Sequence, residues 1–370
     1  MPLPEEAPNT SPRPAGAATR MVGLDSLRGL AILAVAMFHV AIHFPPGGVL
    51  GAAAGLGYTG VQLFFVVSAI SMCFMWDQRR GERAPVRSFL VRRMCRIAPP
   101  FWFGIVFYML WRQLGFLADA PAGPIDVALT VLFLHGFFPS ISGAVVPGGW
   151  SIGVEVTFYV LFPLLVLRIG GLRGQLIFAL VSYIACTAVA TAIRHAVGPS
   201  IDLFLYYSIL TQLPVFIVGM AVYSIAVARE PIPRATLAVV VAAWAVIAAL
   251  SHTMGWLGRP GFWGEIAAMA ILCVVVIGRF ESRALAFAGK FSYSAYLFHF
   301  AVIDVLSLAA PAGLHAGPAA FVVAGVLTCA GTGVIAWLSS RTLEAWSIAY
   351  GRAWVARLNE AKPGLAKPAG

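Results

Sequence analysis

Charge is scarce in this chain. Only 11% of its 370 residues are Asp, Glu, Lys or Arg, where soluble domains carry about a quarter. That shortage excludes an ordinary water-solvated surface. The cysteines lack any pairing pattern: Cys73, Cys95, Cys186, Cys273 and Cys329 stand singly in apolar stretches or at their ends, with no C-x-x-C. This excludes a disulfide framework and a thiolate metal site, and no metal is expected. Cys95 stands among arginines, so a thiolate nucleophile remains a minor alternative. There is no repeat of 20–50 residues and no appended soluble domain. What is abundant is apolar sequence, 60% of the chain. The class is therefore an all-α, polytopic integral membrane helix bundle, because only internally bonded helices satisfy their backbone in lipid here.

Ten segments have the length and polarity of membrane spans: 24–44, 58–76, 100–117, 150–167, 175–193, 203–228, 235–251, 262–280, 291–309 and 319–338. The third is expected to open at Pro99-Pro100, residues suited to a first helical turn. Residues 125–138 are apolar but too short to span. With ten spans and both termini cytoplasmic, only Arg112, Arg194 and Arg259 among the 25 Lys and Arg fall outside. An eleventh span would move Arg229, Arg234, Arg279, Arg283 and Lys290 outside as well. The formal charge of +10 is thus an insertion signal, and nucleic acid is not an expected partner; the lipid bilayer is. Residues 1–20, with five prolines, read as a disordered tail, 21–341 as the membrane domain, and 342–370 as a cytoplasmic tail. In that tail Leu343, Trp346, Tyr350 and Trp354 form a stripe suited to the inner leaflet. Ala52-Ala53-Ala54-Gly55 resembles a cleavage site, but the first span is twice the length of a signal-peptide core.

Four stretches carry polar groups that a plain bundle would not need. In the first span Arg28 and His39 are eleven residues apart, so they share a helical face roughly 16 Å apart along the axis. An arginine at mid-span costs about 2.5–3.5 kcal/mol. Arg28 near the end can snorkel as an interfacial anchor, whereas His39 lies too deep for that. Arg92, Arg93 and Arg96 precede the third span; Arg93 and Arg96 would be helical neighbours able to grip phosphate from inside, or the cluster is a topology anchor. Trp150 and Ser151 open the fourth span, Trp150 marking the outer interface. Glu155 lies about 7.5 Å deeper, where it is expected to meet His39, or to pair with Arg112. The last stretch is Ser292, Ser294, Tyr296 and His299: the serines suit a helix cap, while Tyr296 and His299 are placed to line a cavity or to bond between helices. His135, His195, His252 and His315 fall in or near outer loops, where no role is expected.

These motifs resemble those of the acyltransferase 3 family of integral membrane acyltransferases. LDSLRGLAILAVAMFH is similar to its first-helix signature and GVQLFFVVSAISM to its second-helix block. RRMCRIAPPFW resembles its Arg-x-x-Arg loop, WSIGVEVTFYVLFPL its Trp-Ser-x-x-x-Glu block, and SYSAYLFH its late serine/tyrosine/histidine block. Together they run in family order from Met21 to about Arg341. Departures are Gln62 where many members carry an acid, Ala69 for a frequent glycine, and no proline after His299. The SGNH-type domain fused to some members is missing from this sequence.

The resemblance implies O-acyl transfer, most often of acetyl, from acyl-CoA to a hydroxyl of an extracytoplasmic sugar or glycoconjugate, by a multi-pass protein of the plasma (inner) membrane. No permanently bound cofactor is implied; acyl-CoA is a substrate. On this reading Arg93 and Arg96, with Arg92 beside them, hold the CoA phosphates, and Arg28 lies near the phosphate end or steadies the thioester. His39 is general base and Glu155 orients it or the acceptor, while an acyl-histidine intermediate stays open. Trp150, Ser151, Tyr296, His299, Gln62 and Ser68 line the substrate path, with Gly29, Gly57, Gly60 and Ser71 leaving room between helices. Two other classes compete. A secondary transporter would also bury ionisable groups but gives no reason for the inner arginines. A structural subunit leaves His39 and Glu155 unexplained.

Overall fold

The computed structural model describes residues 15–117, 122–253, 262–277, 279, 281–311 and 315–360. Every regular element among them is helical. The chain enters through α1 (Ala15–His43), α2 (Gly48–Gly55), α3 (Gly60–Arg79) and α4 (Pro85–Gln113). The middle holds α5 (Pro124–Val131), α6 (Trp150–Arg168), α7 (Gly171–Val197), α8 (Asp202–Tyr207), α9 (Ile209–Ala226) and α10 (Arg234–Thr253). It ends with α11 (Phe262–Val276), α12 (Arg283–Lys290), α13 (Ser292–Ala309), α14 (Pro318–Arg341) and α15 (Leu343–Asn359). Each of the ten expected segments falls on a helix. Eight stretches among the described residues are long and apolar enough to cross a bilayer, with shorter apolar stretches in α10 and α11. The eight residues of α5, about 12 Å of helix, do not reach across one. Of the expected N-terminal tail, residues 1–14 lie outside the described residues, and the chain is already helical from Ala15. Arg259 and residues 361–370 of the C-terminal tail also lie outside them.

Large side chains of α3, α6 and α9 form the centre of the bundle. Phe65 stacks on Phe216 at 4.6 Å and Phe216 on Phe158 at 4.0 Å, all almost fully buried. Around this centre, α1 contacts α3, α12, α13 and α14. Its approach to α12 depends on the absence of side chains. A Cβ on Gly29 would lie 2.0 Å from the Leu285 carbonyl oxygen. Gly29 therefore draws two backbones together rather than opening the passage expected there, and Gly57 and Gly60 do the same against the Ala34 and Ala31 carbonyls of α1.

The prolines of α4 correct the expected start of the third span. Pro85 occupies the first turn, and Pro99 and Pro100 lie inside one continuous 29-residue helix. Each interior proline lacks the N–H that would bond the carbonyl four residues back, here those of Cys95 and Arg96. Helices packed in a bundle tolerate interior prolines, and the Tyr293 hydroxyl of a neighbouring helix braces this part of α4 by donating to the Ile97 carbonyl at 2.7 Å. The consequence is functional. The Arg92–Arg96 stretch is helix inside the bundle rather than a loop beneath it, and Arg93 is only 6% exposed.

The end of the bundle beside the Arg92–Arg96 stretch, the expected inner end, is closed by α15. Its aromatic stripe stays exposed at Trp346, Tyr350 and Trp354, while Glu344, Ser347, Gly351 and Val355 are buried on the other face. A Cβ on Gly351 would meet that of Cys95 at 2.7 Å, so α15 lies directly on α4. Ser292 and Ser294 do not cap α13, whose N-cap is Phe291. Ser294 instead bonds Glu344 and Ser339, tying α13 to α14 and α15.

Candidate active site

Among the described residues two neighbouring cavities share a wall, and polar groups from five helices converge on the one nearer α15, the inner cavity. It holds about 80 Å³ and is walled by Arg28 of α1, Ser68 of α3, Arg93 and Arg96 of α4, Glu155 and Tyr159 of α6, and Tyr293 of α13. Arg28 donates to Asp25 at 2.7 Å and to Ser71 Oγ at 2.6 Å, which aims it across the helix interface rather than toward the lipid headgroups. The Arg93 guanidinium lies over the rings of Tyr159 and Phe89 at 5.3 and 5.8 Å, and its Nε has no partner. Ser68 donates to Glu155 Oε1 at 2.5 Å. Three guanidinium groups therefore face one carboxylate, with Asp25 engaged by Arg28. Glu344 lies near enough to Arg96 to interact with it, and in a low-dielectric interior guanidinium groups so placed favour an anion.

The outer cavity is different in kind. It holds about 570 Å³ and its wall is aromatic: Phe38, Tyr58, Trp150, Tyr183, Tyr206, Tyr207, Tyr296 and Phe300, together with His39. Trp150 stacks on Tyr207 at 4.4 Å with the planes 16° apart. Asp202, on the wall, is paired with Arg194 at 2.7 Å. His39 meets the edge of Phe300 at 4.4 Å. Its Nδ1 lies 2.9 Å from the Val35 carbonyl and 3.2 Å from Nε2 of His299.

Tyr296 and Val61 line both cavities and so stand at their division. The Tyr296 hydroxyl donates to the Gly148 carbonyl at 3.0 Å and accepts from Ser151 Oγ at 2.8 Å. Gly148 has φ +71°, and a Cβ there would press to 3.1 Å from that hydroxyl. No other residue fits without strain.

Several expected residues are placed differently. Glu155 lies in the inner cavity against Ser68, not beside His39, and the described bonds of Arg112 run to the Ala144 and Val145 carbonyls. Residue rise gives the depth of a side chain but not the direction it faces, and α6 turns Glu155 toward α3 and α4. Arg92 is not in the arginine cavity. It makes a two-pronged pair with Glu82 at 2.6 and 3.0 Å, which ties the α3–α4 connection to α4. Partial burial pushes the Glu82 carboxyl up, but the Arg92 pair outweighs it and holds the group below its usual range. Gln62 lines neither cavity and donates to Tyr206 OH at 2.8 Å, bracing that ring from behind. Trp150 is 6% exposed and is not an interface marker.

Others were not legible in the sequence. Tyr206 and Tyr207 carry no ionisable signal at neutral pH, and only their adjacency at an outer helix end distinguishes them. His135, for which no role is expected, is buried. It stacks on Phe101 at 5.8 Å and its Nε2 lies 2.9 Å from the Gly149 carbonyl, fastening residues 125–138 to the start of α6.

The helical membrane bundle thus sets an arginine-lined cavity against a histidine-bearing one, and together they form the candidate site. The chain belongs to the acyltransferase 3 family, whose sequence model, described as "Acyltransferase domain", matches residues 21–337. It is a membrane O-acyltransferase. It is 28% identical over 304 residues to BcsY of Komagataeibacter xylinus, provisionally named a membrane-bound transacylase, covering 76% of this chain and 72% of BcsY. It is 22% identical to the O-acetyltransferase OatA of Staphylococcus aureus, covering 76% of this chain and 50% of OatA. Against YrhL of Bacillus subtilis, provisionally named a peptidoglycan O-acetyltransferase, identity is 25% over 48% of this chain and 29% of YrhL. The chain thus spans half or less of the length of OatA and YrhL. No solved structure matches it.

Proposed function

We propose that this chain moves an acyl group, most simply acetyl, from cytoplasmic acyl-CoA to a hydroxyl of an extracytoplasmic carbohydrate or glycoconjugate at the plasma (inner) membrane. The observation that carries the reading is the stacking of two unlike cavities across a shared Tyr296. Arg93 and Arg96 bind phosphate oxygens of the donor, since guanidinium forks match them in shape and charge. Arg28 sits at the same cavity, reaching toward the pantetheine arm or the thioester. A cavity of about 80 Å³ admits a narrow chain but not a nucleotide, so the adenosine end stays at the inner mouth and the arm passes upward.

The acceptor occupies the outer cavity, where aromatic faces suit the C–H faces of a sugar ring. His39 takes the proton of the acceptor hydroxyl, whose oxygen attacks the thioester carbonyl. The C–O ester bond forms as the C–S bond breaks, and the departing CoA thiolate takes the proton from His39. Glu155, held by Ser68, offsets part of the arginine charge. The test is purified protein in detergent given acetyl-CoA and a saccharide acceptor. Free CoA and acetylated acceptor should appear in equal amounts, and acetyl-CoA recovered intact with every acceptor tried would remove the reading. A secondary transporter would give that second result.

A further inference from the structure

We propose that His299 is a positioning residue that, together with the Val35 carbonyl, holds the tautomer of His39 and leaves His39 Nε2 as the unprotonated nitrogen. The inference rests on the acyltransferase reading above and concerns how the base is set rather than which residue it is.

The argument runs through acceptors. His299 Nδ1 lies 2.7 Å from the Tyr296 carbonyl oxygen. A carbonyl only accepts, so this nitrogen carries the hydrogen, and in a neutral ring the other nitrogen then holds a lone pair. That lone pair, on His299 Nε2, lies 3.2 Å from His39 Nδ1. His39 Nδ1 also faces the Val35 carbonyl at 2.9 Å. Both neighbours accept, so His39 Nδ1 is the donor and its Nε2 is left as the base. The opposite assignment, a charged His299 donating to His39, would place a cation on a side chain with no exposed surface. The far side of that side chain faces an almost wholly apolar crevice lined by α1, α12 and α14, where a charge is costly.

When His39 takes the acceptor's proton on Nε2, its Nδ1–H stays where it is. The bond to His299 becomes charge-assisted and strengthens, so His299 supports the imidazolium without itself gaining a proton. Glu155, expected from the sequence to fill this place, is in the other cavity. The remaining titratable groups around the pair are His43, one turn beyond His39 on α1, Tyr58, Tyr183, Cys186, Tyr206, Tyr207 and Tyr296 on the cavity wall, Asp202 with its partner Arg194, and Cys329 on the crevice beside His299. Among the described residues no carboxylate bonds either ring.

The experiment compares His299→Phe, which keeps a ring but has no acceptor, with His299→Gln, whose amide oxygen reaches the place of Nε2. In the Phe variant kcat should fall about ten- to a hundredfold, less than loss of the base itself because the Val35 carbonyl remains, with both KM values unchanged. In the Gln variant kcat should return to within about threefold of the parent. Nitrogen-15 NMR of histidine-labelled protein should show His39 Nε2 unprotonated in the parent and the Gln variant; in the Phe variant, where the Val35 carbonyl alone holds Nδ1–H, that tautomer should stay in the majority but with a detectable share of the other. Equal kcat in the two variants, or a protonated His39 Nε2 in the parent, would overturn the proposal. Transfer surviving in His39→Ala would instead overturn the reading on which it rests.

Discussion

The two cavities solve opposite problems with opposite materials. The inner one is small and over-supplied with fixed positive charge, drawn from helices held by Asp25, Ser71 and Ser68. The outer one is about seven times larger, lined mainly by rings, and its acid Asp202 is already neutralised by Arg194. A site that must recognise a phosphorylated donor needs charge and tolerates little space. A site that must accept a hydroxylic molecule from outside needs room and flat apolar faces, and free charge there would hold water. Tyr296, bonded to Gly148 and Ser151 between them, keeps the two environments separate.

The sharpest way to break this division of labour is to remove the base. His39→Ala should lower kcat by about 10²–10⁴-fold while insertion and donor binding persist, because a small neutral residue does not disturb a span. Near-normal turnover would return His39 to packing. Next in size, Arg93→Ala or Arg96→Ala should raise the KM for acyl-CoA roughly ten- to a hundredfold, the worth of a charge-assisted bond, with acceptor KM unchanged. A matching rise in acceptor KM would merge the two sites. Smallest, Trp150→Ala or Tyr207→Ala should raise acceptor KM about two- to tenfold, the size of one aromatic contact, and leave donor KM alone; the reverse pattern would exchange the roles of the cavities.

The sequence carried the bundle well because lipid imposes length and polarity on each segment, and those are one-dimensional properties. It also placed Arg28 and His39 on one face, a matter of counting along a single helix. It carried poorly whatever depends on rotation between helices. Glu155, expected beside His39, is turned toward α3 and α4 in the other cavity. Arg92 has the expected neighbours but is claimed by Glu82 across the α3–α4 connection. His299 was visible as a deep histidine, while its contact with His39, 260 residues away in sequence, belongs to tertiary packing. The interior prolines of α4 misled for a related reason. A proline pair suits a helix start, and the tertiary packing that keeps α4 continuous through it is not written in the local sequence.

The central claim is that donor and acceptor meet from opposite sides of the membrane, and sealed vesicles of known orientation test it most directly. Acetyl-CoA is confined to one face and a membrane-impermeant saccharide acceptor to the other, and acetylated acceptor and free CoA are measured on each side. Product should form only with the donor on the cytoplasmic face and the acceptor on the outer face, and CoA should be released on the donor's side. Equal turnover with both substrates on the cytoplasmic face would mean that the histidine cavity opens inward, contradicting the two-sided account.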